Sequence, residues 1–200
     1  MLNDCIFYYL NEAGSSKEKI KILQEKNIDN SSIALYLNKQ TQGKGRGANK
    51  WLSKEGDFTC SFLLNEEFEV QFLGQINVVI TVAILLAIRD NLKLNDIKLK
   101  WPNDLYLYEK KLGGILLESK VQKNFANYII AGVGLNIISS PKGLRYKTTK
   151  IIDYKATCDS KQLFLSIYNS IKKYFVLWKK NKFNSIKQIW LEYSKDLGKE

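Results

Sequence analysis

The middle of the chain reads Ile97-Lys-Leu-Lys-Trp-Pro-Asn-Asp-Leu-Tyr-Leu-Tyr-Glu-Lys-Lys-Leu-Gly-Gly-Ile-Leu-Leu-Glu-Ser119. It contains three short strand candidates in succession, Ile97–Trp101, Leu105–Tyr108 and Leu112–Ser119. Pro102 fixes its own φ and steers Trp101 out of the helical region, so the first strand ends in a turn that presents Asn103 and Asp104. Glu109-Lys110-Lys111 makes a tight hairpin into the third strand. Tyr128–Ile138 continues the series, and Cys5–Leu10, Ser32–Leu37 and Phe58–Leu64 precede it as further strands. Helices are expected at Ser15–Lys26, Glu69–Asn91, Gln162–Lys179 and Phe183–Tyr193. The third of these carries an apolar stripe at Leu163, Ile167, Ile171, Tyr174, Phe175 and Trp178. Hairpin-linked strands with helices clustered before and after them predict an α+β fold, a mixed, largely antiparallel central sheet with flanking helices. Residues 1–200 show no repeats and no long linker, which suits one catalytic domain.

Composition narrows the chemistry. The chain has no histidine, which excludes Ser-His-Asp and Cys-His mechanisms and His-ligated metals. Cys5, Cys60 and Cys158 are odd in number and widely spaced, a pattern of neither zinc sites nor disulfides. An enzyme with this composition works by positioning and electrostatics, using lysine, arginine and carboxylates. The longest apolar run, Ile76 to Ile88, falls short of a membrane span and reads as a buried helix. Asp4 stands where a signal peptide carries bases, so no membrane association and a cytoplasmic location are expected. The net charge of +11 is concentrated at one end: residues 141–200 hold 14 basic and 5 acidic side chains. A lysine-rich solvated helical face is the favoured explanation. The alternative is a basic nucleic-acid-binding module, with DNA an unfavoured partner.

Four polar, glycine-bearing or turn-forming segments fall on or beside these strands. Thr41-Gln-Gly-Lys-Gly-Arg-Gly-Ala-Asn-Lys-Trp51 places three glycines among Lys44 and Arg46, a composition that suits an anion such as phosphate. It matches neither the P-loop pattern nor the dinucleotide-binding pattern, and alone it reads equally well as a flexible basic surface loop. Lys100-Trp-Pro-Asn-Asp104 ends a strand, and Lys110-Lys-Leu-Gly-Gly-Ile115 opens the next. There Gly113 and Gly114 leave room for a flat group against the backbone. Ala131-Gly-Val-Gly-Leu-Asn136 adds two glycines and an amide.

Taken together, Gly43-Lys-Gly-Arg46 with Trp51, Lys100–Asp104, Lys111-Leu-Gly-Gly-Ile-Leu-Leu-Glu118 and Gly132–Asn136 resemble, in order and spacing, the signatures of the biotin protein ligase family. The resemblance runs from about Ser15 to Trp190. It implies a catalytic domain like those of class II aminoacyl-tRNA synthetases and biotin synthetases. It also implies a two-step reaction in which biotin attacks Mg·ATP to give biotinyl-5′-AMP, and a lysine of a biotin carboxyl carrier domain then takes the biotinyl group. Lys111 and Arg46 would be the catalytic cations. The biotin site would comprise Ser15, Ser16, Lys17, Gln40, Lys44, Gly45, Arg46, Lys111, Gly113 and Gly114. ATP and the adenylate would meet Lys44, Arg46, Trp51, Lys100, Asn103, Asp104 and Asn136. Mg2+ would come with ATP, near Asp104, without a fixed protein metal site. Lys17 stands where the family usually has asparagine, and Lys44 and Asn49 where it usually has arginine. Neither an N-terminal helix-turn-helix nor a C-terminal SH3-like domain is expected within this chain. The family also allows a homodimer through paired sheet edges. A lipoate or octanoate ligase of the same fold is the weaker alternative, because that branch's histidine is missing.

Overall fold

A computed structural model of the chain describes residues 5–27, 29, 31–154, 157–195 and 197. In chain order the elements are β1 (Cys5–Ala13), α1 (Ser16–Glu25), β2 (Ser32–Gln40), β3 (Gly43–Lys44), β4 (Lys50–Trp51), β5 (Phe58–Leu64) and β6 (Phe68–Glu69). Then come α2 (Leu73–Leu92), β7 (Ile97–Lys100), β8 (Asp104–Leu107), β9 (Lys110–Gln122), β10 (Phe125–Leu135), α3 (Ser160–Lys179) and α4 (Phe183–Tyr193). The main sheet runs β1-β2-β5-β10-β9-β8-β7, with β6 beside one end of β10, and β3 pairs with β4 as a separate ribbon. Only β1–β2 is parallel among the strand pairs described. A parallel pair needs a crossover, and α1 supplies it.

The hairpin between β8 and β9 turns one residue earlier than the sequence predicts. Tyr108 and Glu109 take φ of 45° and 64°, so they form the turn, while Lys110 and Lys111 are already in β9. Positive φ at two central residues gives a turn whose twist matches the strands. The Trp101–Pro102 peptide at the β7–β8 turn is cis.

Helices α2, α3 and α4 cover the back of the sheet and α1 covers part of the front. The helical stretch Val70–Leu92 is longer than the expected apolar run and reaches a mean hydropathy of 2.0, long and apolar enough to cross a bilayer by composition. In the fold, 61% of its apolar window is buried. It packs between the sheet and α3, with Ile76, Val79, Ile80, Ala83 and Ile84 fully enclosed. On the front, Ile20 of α1 packs with Ile33, Leu35, Leu37, Leu63 and Ile130. The alternating sides of β2, β5 and β10 therefore build two cores at once. At the far edge, the Lys195 N–H donates to the Leu99 carbonyl at 2.7 Å and ties the end of α4 to β7.

Phe164 of α3 is the aromatic centre of the back core. Its ring stacks on Phe62 at 5.3 Å and meets Phe7, Tyr9 and Tyr36 at 5.6–6.0 Å. Phe164→Ala is expected to lower the unfolding free energy by about 3–5 kcal/mol, read from urea denaturation. A loss below about 1 kcal/mol would contradict its placement at the centre of this core.

Candidate active site

The front face of the sheet holds a cleft of about 620 Å³. Its walls come from the start of α1, the end of β2, the β3–β4 hairpin, the β7–β8 turn, β9, β10 and a strap over residues 141–148.

One end is polar and closed. The Ser16 N–H donates to Gln40 Oε1 at 2.8 Å, and Ser61 Oγ donates to Ser16 Oγ at 2.9 Å. Ser15, Ser16, Lys17 and Gln40 are all buried there. The Lys17 stem lies across Gly132, where a Cβ would come within 3.1 Å of its Cγ and Cδ. Its ammonium pairs with Glu118, which also takes Lys21 at 3.0 Å. Burial pushes the Glu118 carboxyl up, but the hydrogen bonds and charges of the two lysines outweigh it and hold it below the usual carboxylate value.

The glycine segment is a small hairpin rather than an open loop. Gly43 sits opposite Trp51 and Lys44 opposite Lys50. A side chain at Gly43 would overlap the Trp51 carbonyl oxygen, and Gly47 has φ of +63°. Asn49 closes the turn, donating from Nδ2 to the Arg46 carbonyl at 2.9 Å and accepting from the Gly45 N–H at 2.8 Å. Lys44 points to Glu18 of α1 at 3.0 Å, and this hydrogen bond holds the Glu18 carboxyl below its ordinary value. Trp51 lies flat on the cleft floor. A Cβ at Gly134 would be 2.5 Å from indole Cε2, and one at Gly114 would be 3.9 Å from Cζ3. The indole Nε1 is buried without a hydrogen-bond partner.

At the other end a β-bulge between Leu105 and Tyr106 sets Asp104 opposite Gly114 and Tyr106 opposite Lys111. Lys111 Nζ reaches Asp104 Oδ1 at 2.7 Å and stands 5.0 Å from the centre of the Tyr146 ring. The strap is fastened to Lys111 through its backbone. The Lys111 N–H donates to the Lys147 carbonyl, and the Thr149 N–H donates to the Lys111 carbonyl, both at 2.9 Å. Asn136 is buried and spends its side-chain amide on the Thr149 carbonyl at 2.9 Å.

Most of the residues singled out from the sequence thus line one cleft, and two do not. Lys100 turns away to the Tyr106 ring, 5.5 Å from its centre. Gly113 faces the back core: a side chain there would overlap the Gly134 carbonyl and come within 2.6 Å of Leu135 Cδ2. Its missing side chain serves strand packing, and of the two glycines only Gly114 faces the cleft. The sequence reasoning missed Ser61, Glu118, Glu18, the strap residues Leu144, Arg145 and Tyr146, and Asp57. Asp57 Oδ1 accepts the N–H groups of Ile137, Ile138 and Ser139 at 2.9, 2.9 and 3.0 Å, while Oδ2 accepts the Lys54 N–H at 2.9 Å. This carboxylate anchors the root of the strap, and no spacing in the sequence signals partners so distant.

The fold and site are those of an α+β domain with a polar, cation-rimmed cleft on the open face of a helix-backed, largely antiparallel sheet. Residues 16–136 match the biotin/lipoate A/B protein ligase family, and the chain belongs to that family. It is 38% identical over 104 residues to biotin–protein ligase 2 of Arabidopsis thaliana, an alignment that spans 49% of this chain and 31% of that protein. It is 30% identical over 158 residues to the chloroplastic biotin–protein ligase 1 of the same plant, covering 76% of this chain and 42% of that protein. The chain therefore spans less than half the length of these two curated relatives. Among solved structures, it is similar to a biotin protein ligase from Aquifex aeolicus in complex with biotin and ATP, with 29% identity and a TM-score of 0.77. That match covers 96% of this chain and 78% of that one.

Gly113→Ala is expected to lower the unfolding free energy by about 1–3 kcal/mol, because backbone rather than a movable side chain blocks the new methyl. Gly114→Ala, whose Cβ would meet nothing closer than 3.6 Å, should leave stability near that of the wild type. Equal losses in the two variants would refute the split between packing and cleft glycines. A second expectation concerns acid. A lowered folded pKa makes the Glu118 contribution full above about pH 4.3, and it is lost as the pH falls through the lowered value. Melting temperatures of wild type and Glu118→Gln should therefore converge towards low pH, and parallel curves would contradict this.

Proposed function

We propose that the cleft binds biotin and ATP, joins them as biotinyl-5′-AMP, and passes the biotinyl group to a lysine of a biotin carboxyl carrier domain. The observation that carries this reading is the placement of a closed polar pocket and a cation cluster at the two ends of one cleft. The family membership and the biotin- and ATP-bound Aquifex aeolicus relative support it. A cleft of 620 Å³ lies in the ordinary range for sites that enclose such ligands.

In this reading Ser15, Ser16, Gln40 and Lys17 receive the ureido end of biotin. Its chain runs along the cleft past the Lys17 stem that covers Gly132, and its carboxylate meets the cations. A carboxylate oxygen attacks the α-phosphorus of ATP. The new O–P bond forms as the bond from that phosphorus to the β-bridging oxygen breaks, and pyrophosphate leaves with the electron pair. The reaction needs no protein nucleophile and no proton transfer at this step. It needs cations that offset the repulsion between a carboxylate and a polyphosphate. Lys111, extended by Asp104, and Arg46, with its forked donors, supply them. Trp51 and the hairpin wall off water from the mixed anhydride until the acceptor amine attacks its acyl carbon and AMP departs. Mg2+ arrives with ATP as its counter-ion. Asp104, the carboxylate that lines the cleft, is committed to Lys111, and among the described residues no three acidic or cysteine side chains gather to hold a metal.

Incubation with biotin, MgATP and a carrier domain should add one biotinyl group to the carrier, detected by mass spectrometry. No mass gain together with no biotin-dependent pyrophosphate release would overturn the proposal. Lys111→Ala should cut pyrophosphate release by at least about 100-fold while the melting temperature stays near wild type, since the ammonium is at the cleft rim and not in the core. Unchanged turnover in that variant would remove Lys111 from the mechanism.

A further inference from the structure

Asp57 is 2% exposed and does not line the cleft, yet its carboxylate joins two segments that do. The tight turn Lys54–Asp57 carries it: the Asp57 N–H donates to the Lys54 carbonyl at 3.0 Å, and Gly56 has φ of +91°. That turn follows directly on Trp51 and Leu52, which line the cleft. Facing it, the N–H groups of Ile137, Ile138 and Ser139 all donate to Asp57 Oδ1. Ser139 Oγ and the Lys54 N–H both donate to Oδ2. Residues 137–139 lead from Asn136, on the cleft wall, into the strap. We propose that Asp57 is a positioning residue for adenylate formation: it fixes the spacing between Trp51 and the strap, and so the width of the end of the cleft that takes the nucleotide. This assignment rests on the ligase reading given above.

A carboxylate suits this task. It accepts from four backbone N–H groups and one hydroxyl, and hydrogen bonds to a charged acceptor are about twice as strong as neutral ones. Shape adds to charge, since a Cβ at Gly56 would come within 2.9 Å of Ile138 Cδ1, so the turn lies directly against the root of the strap. The strap is therefore held at both ends, by Asp57 at its root and by the Lys111 backbone beyond Tyr146. Pro141, Leu144 and Tyr146, between those two fastenings, line the cleft. Release of the root lets this wall drift from Trp51, and a misplacement of about 1 Å far from the chemistry can cost about 100-fold. The biotin pocket is held by other bonds, from Ser16 to Gln40, from Ser61 to Ser16 and from Lys17 to Glu118, and Asp57 takes part in none of them. The two substrates should therefore respond differently to its loss.

Asp57→Ala should lower kcat/KM for ATP by about 100-fold in biotin-dependent ATP–pyrophosphate exchange, with the KM for biotin unchanged. Asp57→Asn keeps one oxygen for the Ile137, Ile138 and Ser139 N–H groups but turns an amide donor towards the Lys54 N–H, so it should recover part of the loss. If Asp57→Ala fails to fold, Asp57→Asn decides, with a KM for ATP raised against an unchanged KM for biotin. No change in either variant, or an equal loss towards ATP and biotin, would overturn the assignment. Amide hydrogen exchange in the unliganded protein tests the clamp without any substrate. The Lys54 amide should exchange at least about tenfold faster in both variants, and residues 137–139 should join it in Asp57→Ala, while β2 keeps its wild-type rates. Uniform acceleration, or none, would overturn the clamp even if the wild-type protein proves inactive towards biotin, a result that by itself would count against the ligase reading.

Discussion

The central strand β10 has to serve two faces, and both the back core and the cleft follow from how it does so. Successive side chains on a strand point to opposite sides. Ala131, Val133 and Leu135 therefore enter the back core beneath α2 and α3, while Gly132 and Gly134 turn to the front. Those two glycines leave a strip of bare backbone in the middle of the sheet. The Lys17 stem lies on one and the Trp51 indole on the other, and the cleft is the space between and above them. The neighbouring strand repeats the arrangement with Gly114 on the front. Gly113 obeys the same alternation in the other direction, which is why its missing side chain is needed for packing and not for a ligand.

Charge pairing organises the walls as much as shape does. Lys17 is almost wholly buried, and the Glu118 carboxylate offsets the cost of holding an ammonium there. Lys44 and Glu18 join the hairpin to α1, and Lys21 links Glu18 to Glu118, so one network of alternating charges runs from the closed end of the cleft to the hairpin. The exposed members contribute little stability each. Their consequence is positional, since a lysine held by a neighbouring carboxylate is only partly available to an anionic ligand.

The lysine excess that a sequence reader meets first lies elsewhere. Lys161, Lys173 and Lys187 are exposed on the back helices, and Lys180 and Lys182 in the turn between α3 and α4; none of them lines the cleft. The cluster that matters for chemistry draws on α1, the hairpin, β9 and the strap, and no window of the sequence contains it.

Local pattern was enough for the α+β class, the positions of the long strands and the helices, and the segments that approach a ligand, because alternation, apolar spacing, glycine and proline act over a few residues; the two-residue strands β3, β4 and β6 are too short to carry such a pattern. Residues 41–51, 100–104, 111–118 and 132–136 announced themselves in that way. Other features depend on contacts between residues far apart in the chain. They include the parallel pairing of β1 with β2, the seating of β10 beside β5, and the two opposite fates of Gly113 and Gly114. The turn of Lys100 towards Tyr106, the anchoring of the strap by Asp57 across some 80 positions, and the fastening of the strap backbone to Lys111 belong with them. Sequence determined which residue types were available and which local shapes they take. Only tertiary packing decided which face each one presents and which charge it meets, because those choices follow from strand register and long-range hydrogen bonds.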